Sequence, residues 1–199
     1  MRIRRVEHWV RQPGPESRHS LHWLAIAVSF ALLLTWSEGL TQTYGLLRDP
    51  VEVVKKYVSL DQRGIRLESI SWETIRPYVN WKEEPSWGHV MVTVGYRIVD
   101  DIKQWEVISM MEVLIPVEYQ VLGAVYWEAP GFLPEKQVEK VKFRVKAVGG
   151  RWRIIEPLLP PHVGQKRMIN YVRQAMLQEL EPSRLAILTA LRDELQKAK

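Results

Sequence analysis

The sequence predicts an α+β protein: an N-terminal transmembrane helix, then a cone in which helices pack on a curved antiparallel sheet of about four strands, then C-terminal helices. Three observations carry that expectation. An uncharged run of 19 residues lies between Arg18 and Glu38. Apolar residues recur at three- and four-residue steps from Val51 to Val58, and again beyond residue 165, the period of a helix with one buried face. Between His89 and Glu156 the chain instead becomes β-branched and aromatic, as strands are. The expected segments are a basic cytoplasmic tail (1–18), the transmembrane helix (19–37), a linker (38–49), the cone domain (50–161) and a C-terminal helical extension (162–199).

Composition narrows the function classes. With 46% hydrophobic and 26% charged residues among 199, the chain can build one core with appendages and is not a disordered polymer. It has no cysteine, which excludes disulfides, thiolate metal centres and a lipidated cysteine. The net charge of +5 raises a nucleic-acid reading, and its distribution opposes one. Five arginines outweigh Glu7 and Glu16 in residues 1–20, and seven Lys/Arg outweigh four Asp/Glu in residues 162–199. Each end therefore carries +3, and the +5 total leaves −1 for residues 21–161. A nucleic-acid-binding domain carries its basic footprint on the folded part, so no nucleic-acid partner is expected.

The run His19–Ser37 would be ~28 Å long as a helix, close to the thickness of a bilayer's hydrocarbon layer. Trp23 and Trp36 lie near its two ends, where indole rings favour the headgroup boundary. Arg18 and four earlier arginines precede it, and Arg48 is the sole basic residue soon after it. That asymmetry places the N-terminus in the cytoplasm and the main domain outside. Arg18, Trp23 and Trp36 are the expected anchor residues. The competing reading is a cleaved leader, since Ser37-Glu38-Gly39 offers small residues at a peptidase-compatible spacing. The long region ahead of the run, with Pro13-Gly14-Pro15, favours an uncut anchor. His19 and His22 share a helix face, as haem ligands in di-haem membrane cytochromes do. A haem needs ligands from further helices, so polar residues at a helix entry are the simpler account.

Asp49-Pro50 reads as a helix start and Gly64 as its C-terminal stop. A second helix is expected over 72–79, with Ser71 as its cap. His89–Val99 reads as a strand broken by Asp100-Asp101. Trp105–Trp127 is a long β-prone stretch in which Pro116 and Gly123 mark bulges or bends. Gln137–Val148 alternates apolar and charged residues, and Gly149-Gly150 turns it into a strand at Arg151–Glu156. Pro157, Pro160 and Pro161 then stop the sheet. Between the second and third of these stretches, Ala124–Pro134 reads as a loop with unusual apolar content. Its Tyr126, Trp127, Phe132 and Leu133 are candidate partner contacts, or a flap folded over its own core.

This order of elements resembles the nuclear transport factor 2-like (ketosteroid-isomerase-like) superfamily, a cystatin-like cone, and is similar to uncharacterised exported bacterial members. The residues that carry the likeness are Val53–Asp61, Gly64–Leu67, Trp72, Trp81, Pro85–Trp87, Pro116–Gly123 and Arg151–Ile155. The resemblance covers about residues 50–161. Enzymes of that superfamily place an Asp with Tyr, or His with Asp, inside the cone. Here no catalytic residue carries over: His89 begins a strand, His162 follows Pro160-Pro161, and neither has a carboxylate at a spacing that implies a dyad. Tyr96, Glu112 and Tyr119 are left as residues whose faces the sequence does not fix. A cone enzyme would require a buried carboxylate or histidine of shifted pKa in the cavity. No catalytic residue, metal site or cofactor is expected, there being no HxH, HExxH or calcium-type loop. Six of the nine tryptophans fall in the cone region, either as core filling or as a stacking platform for a glycan or apolar ligand.

Beyond Pro161, Met168/Ile169, Val172, Ala175/Met176 and Leu180 mark one amphipathic helix, and Glu181-Pro182 interrupts it. Leu185, Leu188, Leu191 and Leu195 mark a second. The first is expected to cap the cone. The second, through Leu185, Leu188 and Leu191, is a candidate for docking on a partner or on anionic lipid. Together these features lead to the expectation of a membrane-anchored scaffold or accessory subunit, with protein partners or further copies of itself. The alternative is a binding domain for an apolar or glycan ligand in the cone.

Overall fold

A computed structural model describes residues 50–199 of the chain. The expected tail, the transmembrane helix with Arg18, Trp23 and Trp36, and the linker lie outside the described residues. Among those described, no helix is long and apolar enough to cross a membrane. The described unit is α+β. Helices α1 (Pro50–Gln62) and α2 (Ser71–Ile75) come first. Strands β1 (His89–Ile98), β2 (Glu106–Ser109), β3 (Glu112–Tyr126), β4 (Gly131–Val148), β5 (Arg151–Glu156) and β6 (His162–Gly164) follow. Helices α3 (Gln165–Gln178) and α4 (Pro182–Lys197) end it.

The expected periodicity of α1 holds: Val51, Val54, Tyr57 and Val58 are all buried. Gly64 then takes a left-handed φ of 74° and its N–H returns to the Asp61 carbonyl at 2.7 Å. Glycine adopts that conformation without a Cβ penalty. The second helix is shorter than the expected 72–79. It stops at Ile75: Arg76 still has helical angles and bonds back to the Trp72 carbonyl, but Pro77 has no N–H to continue the ladder. The chain past Pro77 instead pairs with β5, through Asn80 N–H to the Ile154 carbonyl at 2.9 Å and Ile154 N–H to the Tyr78 carbonyl at 2.8 Å. Ser71 does not cap α2; its hydroxyl donates to Glu84 at 2.6 Å.

The sheet has six strands rather than about four, in the order β5-β4-β3-β1-β6, with β2 also paired to β3. Two features of the chain add the extra strands. The stretch 105–127 breaks at Met110-Met111, so that β2 folds back on the start of β3. The prolines at 157, 160 and 161 end β5 without ending the sheet. Pro161 contributes its carbonyl, which accepts from Met91 N–H at 2.8 Å, and His162–Gly164 then pair in parallel with Met91–Thr93. The sheet thus extends past the expected domain limit at 161.

The apolar stretch 124–134 is not a loop. Ala124–Tyr126 belongs to β3 and Gly131–Pro134 to β4, with only residues 127–130 as the turn. Pro116 carries no bulge. Its carbonyl accepts from Val99 N–H at 3.0 Å; a strand residue's N and O point to one edge, so its missing donor faces the gap where β1 ends and β2 has not begun. Gly123 is a bulge, as expected, between Val121 and Gly123 in both flanking ladders. Its φ is 153°, and a Cβ there would stand 2.2 Å from the Leu133 carbonyl oxygen.

That bulge decides which side of the sheet each residue serves. Val113, Ile115, Val117, Tyr119 and Val121 face one core, together with Val141, Phe143 and Val145 of β4 and the apolar face of α1. After one extra residue the parity reverses. Leu122 and Val125, with Val90 and Val92 of β1, face a second core under α3 and α4, with Val163, Met168, Val172, Leu191 and Leu195. The sheet is strongly curled. β4 and β6 are three strand spacings apart in sheet order, ~14 Å if flat, yet Glu139 of β4 reaches His162 of β6 at 3.1 Å.

Candidate functional site

The concave side under α1 holds an unusual polar cluster. Asp61 occupies the next position of the apolar face after Val54, Tyr57 and Val58, and it is buried with Arg66 and His162. Asp61 Oδ2 accepts the backbone N–H of His162 at 3.0 Å and lies 3.7 Å from Arg66 Nη1. Arg66 donates from Nε to Glu84 at 2.8 Å and from Nη1 to the Tyr57 hydroxyl at 3.2 Å. Its guanidinium lies over the Trp81 ring, 5.8 Å from the centroid.

The His162 ring faces two acceptors, the Pro160 carbonyl at 2.8 Å from Nδ1 and Glu139 Oε2 at 3.1 Å from Nε2. It stacks on Tyr119 with centroids 4.3 Å apart.

Burial drives the electrostatics. It pushes the Asp61 carboxyl up from its ordinary value despite Arg66 and His162 nearby, and it pushes the Tyr119 and Tyr57 hydroxyls up as well. The hydrogen bond from His162 holds the Glu139 carboxyl below its usual range against partial burial. Asp61 Oδ1, Arg66 Nη2, Trp81 Nε1 and Tyr119 OH are buried without a hydrogen-bond partner among the described residues. Each such group costs about 1–3 kcal/mol, a concentration of cost that a structural core avoids. Chemically, the cluster offers donors for an acceptor oxygen beside one carboxyl. Among the described residues no group of His, Asp or Glu is arranged to hold a metal ion.

The second feature lies on the opposite core. A groove of about 580 Å³ opens between the 127–130 turn and the α3–α4 hairpin. Trp127, Tyr171, Ala175, Ile187, Leu188 and Leu191 form its apolar lining, and Glu128, Glu179 and Arg184 are also on its wall. Trp127 meets Tyr171 edge-on with centroids 6.0 Å apart. Beside it, Leu177 and Leu180 are 86% and 93% exposed.

The sequence-predicted contact residues divide by parity and helix face. Trp127 and Phe132 pack on the second core, whereas Tyr126 and Leu133 are exposed. Leu191 is buried, Leu188 is half-buried, and Leu185 is exposed. The structure brings Trp127, Leu188 and Leu191 together in the groove and leaves Tyr126, Leu133 and Leu185 outside its lining. Sequence reasoning missed the interior cluster. Its one visible signal was Asp61, a carboxylate at a position where the α1 pattern calls for an apolar residue.

No family model, curated protein or solved structure matches the chain.

Proposed function

We propose that the chain is a membrane-anchored, extracytoplasmic scaffold or accessory subunit of a membrane protein assembly, built on a nuclear-transport-factor-2-like cone and seating a partner protein in the α3–α4 groove. The observation that carries this reading is the convergence of Trp127, Leu188 and Leu191 on one open groove beside the exposed Leu177 and Leu180. A helix pair that served only to cap the sheet would turn those leucines inward; aromatic and aliphatic side chains around a groove suit an inserted apolar side chain. The uncharged run 19–37 with its flanking arginines supports the anchor and the cytoplasmic N-terminus. Mild detergent extraction followed by sizing and mass spectrometry tests the assembly. A particle of defined stoichiometry larger than one chain is expected, and a lone monomer overturns the reading. Reporter fusions at Lys199 test the placement, with activity expected on the extracytoplasmic side and a cytosolic signal overturning it.

The unpartnered interior donors favour a second reading, a binding domain for a small apolar or glycan ligand whose acceptor oxygen meets Arg66, Trp81 and Tyr119. Native mass spectrometry of the purified chain is the check. A bound small molecule that disappears in Tyr119→Phe supports this reading, and a folded chain carrying nothing opposes it.

A further inference from the structure

Among the described residues, the densest run of exposed apolar side chains lies away from the groove, around β2. Val107 and Ile108 on β2, Met110 and Met111 in the turn after it, and Ile102 in the turn before it are all exposed, Met110 at 80%. Five such residues fall within ten positions at one end of the sheet, and clustered exposed apolar surface marks an interaction site. We propose that this β2–β3 tip rests in the interfacial layer of a lipid bilayer.

The path of the chain places the tip. The C-terminal end of α1 is fixed beside the middle of β1, through Gln62 Oε1 accepting from the Thr93 hydroxyl at 2.9 Å and Asp61 accepting from His162 N–H. Nearer the start of α1, Lys55 lies 3.8 Å from Asp100, just past the end of β1. The helix therefore runs back along β1, and Pro50 stands at the end of the sheet where β2 begins. There β2 pairs with Leu114 and Val113, beyond the Ile98–Val117 pair that closes the β1 ladder. A chain arriving from residue 37 has 12 linker residues before Pro50, which reach at most about 43 Å. The chain thus enters the domain at the end that carries the tip, and the opposite end of β3 lies ~46 Å further along the strand.

The chemistry of the tip fits lipid. Its side chains are aliphatic and thioether, with no polar group that needs a matched partner. The neighbouring acids are already engaged: Glu106 with Lys142 at 3.1 Å, Asp100 with Lys55, and Asp101 with the Lys103 backbone N–H at 3.0 Å. Contact then depends on apolar insertion and not on anionic headgroups. The strand edge itself is a poor template for a further strand, since β2 is four residues long and irregular between Val107 and Ser109.

This inference rests on the anchor reading above, and its test separates the two. The chain has no cysteine, so Met110→Cys and Lys136→Cys each carry a single environment-sensitive fluorophore. Lys136 is exposed on β4 toward the far end of the sheet, two positions from the Pro134–Gly123 pair. The full chain is reconstituted into phosphatidylcholine vesicles, with or without a lipid-borne quencher near the headgroup. Flotation with the vesicles reports the anchor. The label at 110 is expected to emit at shorter wavelength and to be quenched several-fold more strongly than the label at 136, unchanged by 0.5 M salt. Equal, water-like emission at both sites in floated vesicles overturns the tip contact while leaving the anchor standing. A chain that remains in the soluble fraction overturns both.

Discussion

The two cores of the sheet are built from different chemistry. The core under α1 encloses Asp61, Arg66, Thr93 and His162 among its aromatics, while the buried residues of the core under α3 and α4 are all Val, Leu and Met. A single bulge at Gly123 separates them, sending odd-numbered β3 residues to one side before it and to the other after it. The difference teaches where rigidity and adaptability lie. A polar network with fixed partners specifies one arrangement of α1, β4 and β6, because any shift strands a buried charge. Apolar packing carries no such penalty for a small displacement. The helix pair resting on it, held at its ends by Gln165 donating to the Leu195 and Ala198 carbonyls at 2.7 Å, is the natural place for an adaptable groove.

Substitutions that remove one partner from each core test the contrast most strongly. Arg66→Met leaves Asp61 and Glu84 without their shared cation and is expected to cost about 3–5 kcal/mol, read by urea unfolding. Met168→Leu in the other core conserves volume and should cost under about 1.5 kcal/mol. Equal costs would remove the distinction between the two cores. Gly123→Ala attacks the boundary between them. With a φ of 153° and the Leu133 carbonyl in the way, a loss of about 2–3 kcal/mol is expected. A neutral result would mean that the ladder slips and the parity switch is dispensable.

Smaller effects come from pH. The Glu139 carboxyl is held below its ordinary value by His162. Its contribution is therefore complete above the unfolded carboxylate value of about 4.3 and is lost as pH falls through the folded one. The melting-temperature advantage of the wild type over Glu139→Gln should shrink in that acid window. Asp61 has the opposite sign, since its folded value is raised. The cost of its charge sets in as pH rises past about 3.9 and is complete above the folded value. Asp61→Asn keeps an acceptor for His162 N–H and should gain on the wild type across that rise. Melting curves from about pH 2 to 8 decide both, and parallel slopes for the two variants would contradict the opposed shifts. The smallest change in stability is expected at Leu177→Ala, within about 0.5 kcal/mol, although partner retention should fall.

Much of the fold was legible because it follows local rules. The apolar face of α1, the Gly64 stop, the Gly149-Gly150 hairpin and the break at Glu181-Pro182 each depend on a few neighbouring residues. Pro116 misled because a proline in a strand signals either a bulge or an unpaired edge, and only the positions of β1 and β2 choose between them. β6 was hidden because three residues after two prolines carry no period. The interior cluster was hidden for a different reason: Asp61 and His162 are 101 residues apart in sequence, and curling of the sheet brings Glu139 to them. Asp61 on an apolar helix face was the readable part. The groove was half legible, in that its leucines and Trp127 stood out separately while their meeting depends on which side of the bulge each strand residue falls.

Affinity purification from native membranes, comparing the wild type with Ile187→Glu, tests the central claim most directly. Ile187 lines the groove and is 45% exposed, so the charge enters the groove without disturbing the core. The account predicts a stoichiometric partner with the wild type and its loss with the variant, at equal yield of folded protein. The same partner retained by both, or none with either, would contradict it.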